Sequence, residues 1–175
     1  ILSTDFYSDP AINEEAKEKI FAKSWQFIGD VTLAAEPGQC CPLKLLENYL
    51  DEPLVLTRDN NNMLHVLSNV CTHRGNIVVN EPCRVTHLKC RYHGRQFRHD
   101  GNFVSMPEFK EVKDFPTAAD NLAKMGLYQW GPWLFTSLDP KNSHEPFLRD
   151  MMDRLRWVPV NEFVFEPQLS KDYIV

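Results

Sequence analysis

Apolar positions recur with two periods along the chain. Ile12, Ala16 and Ile20 return every four residues, which predicts an amphipathic helix over about 10–23. Asp9 suits its N-cap, Pro10 its first turn, and Glu14 and Glu15 the positive end of its dipole. Short strand-like runs follow at 24–29, 39–46, 53–58, 63–68, 85–89 and 95–98. Asp59-Asn60-Asn61-Asn62 reads as a hairpin turn between two of them, because Asn and Asp tolerate positive φ. Asp100-Gly101 is a second hairpin signal, leading into 102–104. The runs 127–130 and 133–137 form a last pair around Gly131-Pro132. Phe147, Met151 and Leu155, with Leu148 and Met152 beside them, predict a helix over about 145–156. Phe163, Phe165, Tyr173, Ile174 and Val175 read as strand material. Twelve prolines and seven glycines cut the chain into short pieces, which suits a β-rich fold. There is no internal repeat.

Composition narrows the class. With 175 residues, the chain is sized for one domain with trimmings, large enough to fold without disulfide staples. A net charge of −5 argues against a nucleic-acid partner, and nothing basic marks a membrane surface. No apolar run reaches the roughly 18 residues that span a bilayer. Residues 1–10 carry Asp5 and Asp9 and no basic side chain, unlike a signal peptide. An odd count of five cysteines without an export signal predicts a reduced, cytoplasmic setting in which they bind metal or pack. The apolar ending at Tyr173-Ile174-Val175 predicts that a longer polypeptide continues beyond it.

The chemistry is concentrated in Cys71-Thr72-His73-Arg74-Gly75 and Cys90-Arg91-Tyr92-His93-Gly94. Each loop offers one thiolate and one imidazole, with a glycine that lets the backbone turn sharply and present N–H groups to an anion. Structural zinc takes two cysteines and two histidines, but its usual order is a close cysteine pair and then a close histidine pair. The mixed order fits two irons better. With both cysteines on one iron and both histidines on the other, the oxidised centre is neutral and the reduced one singly negative. That raises the potential to about −150 to +300 mV, against about −400 mV for plant-type all-cysteine ferredoxins.

The CTHRG and CRYHG segments resemble the Rieske [2Fe–2S] signature. Three further stretches look like the N-terminal Rieske part of ring-hydroxylating oxygenase α subunits: YSDPAINEEAKEKIFAKSWQFIGDV, HDGNFVSMPEF and the closing KDYIV. The resemblance implies a mostly β fold. This is a Rieske-type antiparallel β-sandwich with a small cluster-binding subdomain, preceded by an N-terminal α-helix and followed by a short α-helix and strand. It divides the chain into a lead-in at 1–30, a Rieske domain at 31–138 with cluster loops about 69–107, and a segment at 139–175 leading towards a catalytic domain outside this chain. It makes Cys71 and Cys90 the ligands of one iron and His73 and His93 those of the other. The implied activity is electron transfer, from a reductase or ferredoxin donor to a mononuclear Fe(II) oxygenase site in the same or a neighbouring subunit of a homo-oligomer. In the full α subunit that serves aromatic-ring hydroxylation. A freestanding Rieske ferredoxin is the alternative.

The mononuclear site needs two histidines and a carboxylate on one face of the metal. Beyond the second loop the chain offers only His99 and His144, so no catalytic residue is assigned to this segment. The family often has Pro after the second cysteine and Trp after the YHG; here Arg91 and Arg95 stand there. With Arg74 and Arg98 they place four cations near the motif, which would favour the reduced centre or form a docking face. Respiratory Rieske proteins carry two further cysteines where this chain has Asn76 and Tyr92, so the low-potential type is expected. His65, His87, His99 and His144 read as ordinary core or surface residues, and Cys40, Cys41 and Cys83 as buried thiols. Trp25, Trp130, Trp133 and Trp157 read as packing anchors. Met106-Pro107 is either a third loop over the centre or a turn after a strand.

Overall fold

A computed structural model describes residues 2–109, 112–139, 141, 143 and 145–171. The lead-in is a short turn of helix, α1 (Asp5–Ser8), followed by α2 (Pro10–Ala16). Asp9 caps α2, its carboxylate accepting from the Ala11 amide at 2.8 Å. The predicted helix does not run on regularly to residue 23. Over Lys17–Phe21 it widens into a π-helical turn, closed by the Ala22 amide on the Lys17 carbonyl at 2.8 Å. The extra residue per turn takes Ile20 off the stripe of Ile12 and Ala16 and leaves it exposed.

Among the described residues ten strands follow in three antiparallel sheets. The outer sheet has the order β1-β10-β9, from β1 (Gln26–Asp30), β9 (Gly126–Trp130) and β10 (Trp133–Ser137). The middle sheet runs β4-β3-β2-β5, from β2 (Gln39–Leu45), β3 (Glu52–Arg58), β4 (Leu64–Ser68) and β5 (Cys83–Arg84). The third is β6 (Leu88–Lys89), β7 (Gln96–Phe97) and β8 (Phe103–Ser105).

The period of two along the middle strands divides their side chains between two cores. Cys41, Leu54, Leu56 and Val66 pack with Leu134 of β10, making the sandwich core between middle and outer sheets. Their neighbours Cys40, Val55 and Leu67 point the other way and pack with Cys71, Val78, Cys90 and Phe97. The middle sheet is therefore covered on both faces, which is why Leu54–Thr57 is buried at every position instead of at alternate ones. Helix α3 (Glu145–Arg154) packs on the outer sheet through Leu148, Met151 and Met152, against Trp25 and Phe135.

The hairpin turns stand where the sequence places them. The Asp59 carboxylate accepts from the amides of Asn61 and Met63, both at 2.9 Å, and Asn62 takes φ +66°. His65 on β4 adds a contact to the other carboxylate oxygen at 3.0 Å. Burial works to raise the Asp59 pKa, but His65 and the two amides outweigh it and hold the carboxyl below its ordinary value. The unfolded chain then binds the proton more readily. This contribution is full above about pH 4 and is lost as pH falls through the lower folded value. Asp59→Asn is expected to cost about 1 kcal/mol at neutral pH and to flatten the acid limb of the stability curve, checked by thermal melts stepped from pH 7 downward.

Two strand expectations need correction. The run at 85–89 is not one strand: β5 pairs with β2 in the middle sheet, while β6 pairs with β7 in the third. The chain changes layers at 85–87, where the Val85 amide still bonds the Gly38 carbonyl at 3.0 Å. Phe163 and Phe165 lie in irregular backbone between two short 3-10 turns and pair with no strand among the described residues; Tyr173, Ile174 and Val175 lie outside those residues. Phe147 contributes no described side chain to α3. Trp157 is no packing anchor, being 78% exposed, whereas Trp25 is buried. No helix among the described residues is long and apolar enough to cross a membrane.

Candidate metal centre

The loops 71–76 and 90–95 fold alike. In the first, the Cys71 amide bonds the Asn76 carbonyl at 2.8 Å and the Gly75 amide bonds the Cys71 carbonyl at 2.9 Å. In the second, the Cys90 amide bonds the Arg95 carbonyl at 2.9 Å and the Gly94 amide bonds the Cys90 carbonyl at 3.0 Å. The glycines close the turns at φ +70° and +74°, in the left-handed region that other residues enter at a cost. At Gly94 there is a second reason: an added Cβ would stand 3.0 Å from Pro107 Cγ. Pro107 thus packs directly on the second loop, and Phe109 reaches the His73 ring at 6.5 Å between centroids. The Met106-Pro107 segment is a third loop beside the other two, with Met106 buried.

This folding sorts the ligand types. The thiols of Cys71 and Cys90 come within hydrogen-bonding reach of each other, both almost fully buried. The rings of His73 and His93 lie together at 4.7 Å between centroids and are partly exposed. Tyr92 lies against the His93 ring at 3.8 Å, its own side chain at the surface. Among the described residues no three His, Cys, Asp or Glu side chains gather as one ion would require. A thiol pair beside an imidazole pair suits two metals bridged by inorganic sulfide.

Electrostatics agree with that donor set. Burial pushes the Cys71 thiol up, and the adjoining Cys90 adds to the rise. At Cys90 burial acts in the same direction but is outweighed by the Tyr92 amide, the Cys71 thiol, the His93 amide and the Asn76 side chain, so this thiol lies below its ordinary value. The Asn76 Nδ2 sits 3.7 Å from Cys90 Sγ. Amide donors therefore already face the sulfurs where thiolate charge needs them. Burial first, then the charges of His93, Arg74 and Arg95, push the His73 pKa down, favouring the neutral imidazole that ligates metal.

The four expected cations separate. Arg74, Arg91 and Arg98 are exposed, the latter two loosely facing Glu81 at 3.9 Å and Asp100 at 4.0 Å. Arg95 alone of the four is buried, and Asp120 meets it at 2.6 Å. Spacing in the sequence held no signal for Asp120, nor for Thr72, Asn76 or Phe109 as members of the site. Of the other histidines and cysteines, His65 holds Asp59, His99 is buried with its carbonyl accepting from the Thr57 hydroxyl, Cys40 packs behind Cys71 and Cys90 and pairs in register with Cys83, and His144 lies outside the described residues. All five thiols are free.

A mostly β chain that brings two thiols together and two imidazoles together on two matching loops has the donor set of an iron–sulfur protein. The profile of the Rieske [2Fe-2S] domain matches residues 29–116, half of the chain, and the protein belongs to that family. It is 30% identical over 135 residues to a chloroplastic choline monooxygenase of Beta vulgaris, covering 77% of this chain and 29% of that protein. It is 27% identical over 136 residues to the carnitine monooxygenase oxygenase subunit of Escherichia coli K12, covering 77% and 35%. Among solved structures, the quaternary ammonium Rieske monooxygenase CntA in complex with γ-butyrobetaine aligns with TM-score 0.77 at 25% identity, over 87% of this chain and 43% of that one. Naphthalene 1,2-dioxygenase from Rhodococcus sp. aligns with TM-score 0.75 at 27% identity, over 88% and 38%. The chain spans about a third of the length of these curated relatives.

Proposed function

We propose that Cys71 and Cys90 hold one iron of a Rieske [2Fe–2S] centre and His73 and His93 the other. The chain then serves as the electron-transfer part of an oxygenase α subunit. The observation that carries this reading is the sorting of ligands, buried thiols with thiols and surface imidazoles with imidazoles. When bound there, the centre takes up and gives back one electron. The chain's own groups prepare the place. Amides of His73, Tyr92 and His93 donate to the cysteine sulfurs, and the third loop closes over Gly94. The two histidine rings, with Tyr92 and Phe109 around them, form the partly exposed edge across which a donor and an acceptor are met.

The donor is a reductase or ferredoxin. The acceptor is a mononuclear iron in the catalytic domain of the same or a neighbouring subunit of a homo-oligomer, since one CntA structure is described by inter-subunit electron transfer. For the whole protein, the names of the relatives favour monooxygenation of a quaternary ammonium compound, such as choline, carnitine or glycine betaine, over aromatic-ring hydroxylation. The test is to purify the chain without added metal, assay iron and acid-labile sulfide, and record the EPR spectrum after dithionite reduction. Two irons and two sulfides per chain, with a rhombic signal coupled to nitrogen, are expected. Zinc, or iron without labile sulfide, would overturn the assignment.

A further inference from the structure

The Arg95 side chain is only 4% exposed, yet it carries a full charge. Its Nη2 donates to Asp120 Oδ1 at 2.6 Å and its Nη1 to Thr72 Oγ1 at 2.8 Å. The guanidinium lies over the rings of Phe103 and Phe115, at 5.1 and 5.5 Å from their centroids. Its Nε has no partner among the described residues. An ion pair with its cation buried, its anion partly exposed and an incomplete set of hydrogen bonds is a poor stabiliser, since desolvation penalises the charge and an apolar side chain against the two phenylalanines would pack as well. The charge is better explained by what it acts on.

Arg95 touches both ligand loops. Its backbone carbonyl closes the second loop on the Cys90 amide, and its side chain grips Thr72, which stands between Cys71 and His73. Its charge reaches both Cys71 and His73. Asp120 is itself tied down: its carboxylate accepts from the Thr117 amide at 2.7 Å, and its carbonyl accepts from the Thr72 hydroxyl at 2.8 Å. The guanidinium is thus held at a set place on the buried side of the loops, where low dielectric makes its charge count, and the partly exposed Asp120 is held against it.

We propose that Arg95 is a positioning residue that brackets the two ligand loops through Thr72 and sets the reduction potential of the centre, with Asp120 as its counterweight. The inference rests on the ligand assignment above. Its test is the midpoint potential and EPR spectrum of the purified chain, unsubstituted and as Arg95→Gln, Arg95→Lys, Asp120→Asn and Thr72→Val. Arg95→Gln removes a positive charge, so the reduction equilibrium is expected to fall on the order of tenfold, about 59 mV for one electron. Asp120→Asn leaves the guanidinium uncompensated and is expected to move the potential the opposite way. Arg95→Lys keeps the charge and should stay within about threefold of the unsubstituted chain, which covers the case in which Arg95→Gln does not fold. Thr72→Val changes no charge, and is expected to alter the nitrogen couplings more than the potential.

A merely structural role would move Arg95→Gln and Asp120→Asn in one direction or neither, and that result overturns the proposal. So does an Asp120→Asn potential equal to that of the unsubstituted chain. If the unsubstituted chain holds no iron and sulfide, the ligand assignment itself fails; if it holds them and the potentials coincide, only the role of Arg95 fails.

Discussion

Exchange of Cys90 for serine is expected to remove the metal centre while leaving the β-sandwich folded. Iron and labile sulfide should fall below about one-tenth of the unsubstituted content, and the far-UV spectrum should hardly change. Cys90 is 2% exposed, and its sulfur collects the amide donors and the Asn76 side chain. A hydroxyl there ionises far less readily than a thiol and is a poor ligand for iron. The sandwich core does not depend on that residue. Leu54, Leu56, Val66 and Leu134 pack on the opposite face of the middle sheet from Cys71 and Cys90. Hydrogen exchange should then separate the two layers. Amides in 71–76 and 90–95 lose protection, while those of β2 and β3 keep it. Full iron content in the variant would break the ligand assignment. Loss of protection throughout would show that the layers do not fold independently.

The complementary change is Leu54→Ala. Leu54 is fully buried between the middle and outer sheets, with Leu45 and Leu134 in the same cluster. Truncation removes its apolar contacts and leaves a cavity that a sandwich held by register on both sides cannot collapse, at a cost of about 3–4 kcal/mol. Urea unfolding should show the midpoint falling with an unchanged slope. Because Leu54 faces away from the loops, the folded variant is expected to keep its iron and its EPR spectrum. Val55, one residue on, faces the loops. Val55→Ala is therefore expected to broaden or shift that spectrum for a smaller loss of stability. Equal effects of the two changes on the centre would contradict the division of the middle sheet into two faces.

Local signals were legible. The ligand motif shows in the sequence because each loop is five consecutive residues with its glycine at a fixed offset, and the structure gives both the same hydrogen bonds. The turns at Asp59 to Asn62, Asp100-Gly101 and Gly131 show because only a few residue types accept positive φ without strain. The longer middle strands show as apolar runs. Short or switching elements did not. Residues 83–84 and 88–89 join different sheets, a choice set by which edge lies within reach rather than by propensity. Phe163 and Phe165 have strand-like composition, but among the described residues they pair with no strand.

By itself, then, the sequence held the two matching Cys–His loops that point to iron–sulfur chemistry and the β-rich class, since these depend on residue types and spacings within a few positions. Only the tertiary structure decided that thiols meet thiols and imidazoles meet imidazoles, because that follows from packing two loops across one sheet face. It also decided the fate of the arginines. Arg74, Arg91 and Arg98 stay in water, where their charge is screened, whereas Arg95 is buried against two phenylalanines. Asp120, far along the chain, comes to meet it because the segment after β8 folds back over the loops. A charge acquires its strength from the medium around it, and that medium is made of residues distant in sequence.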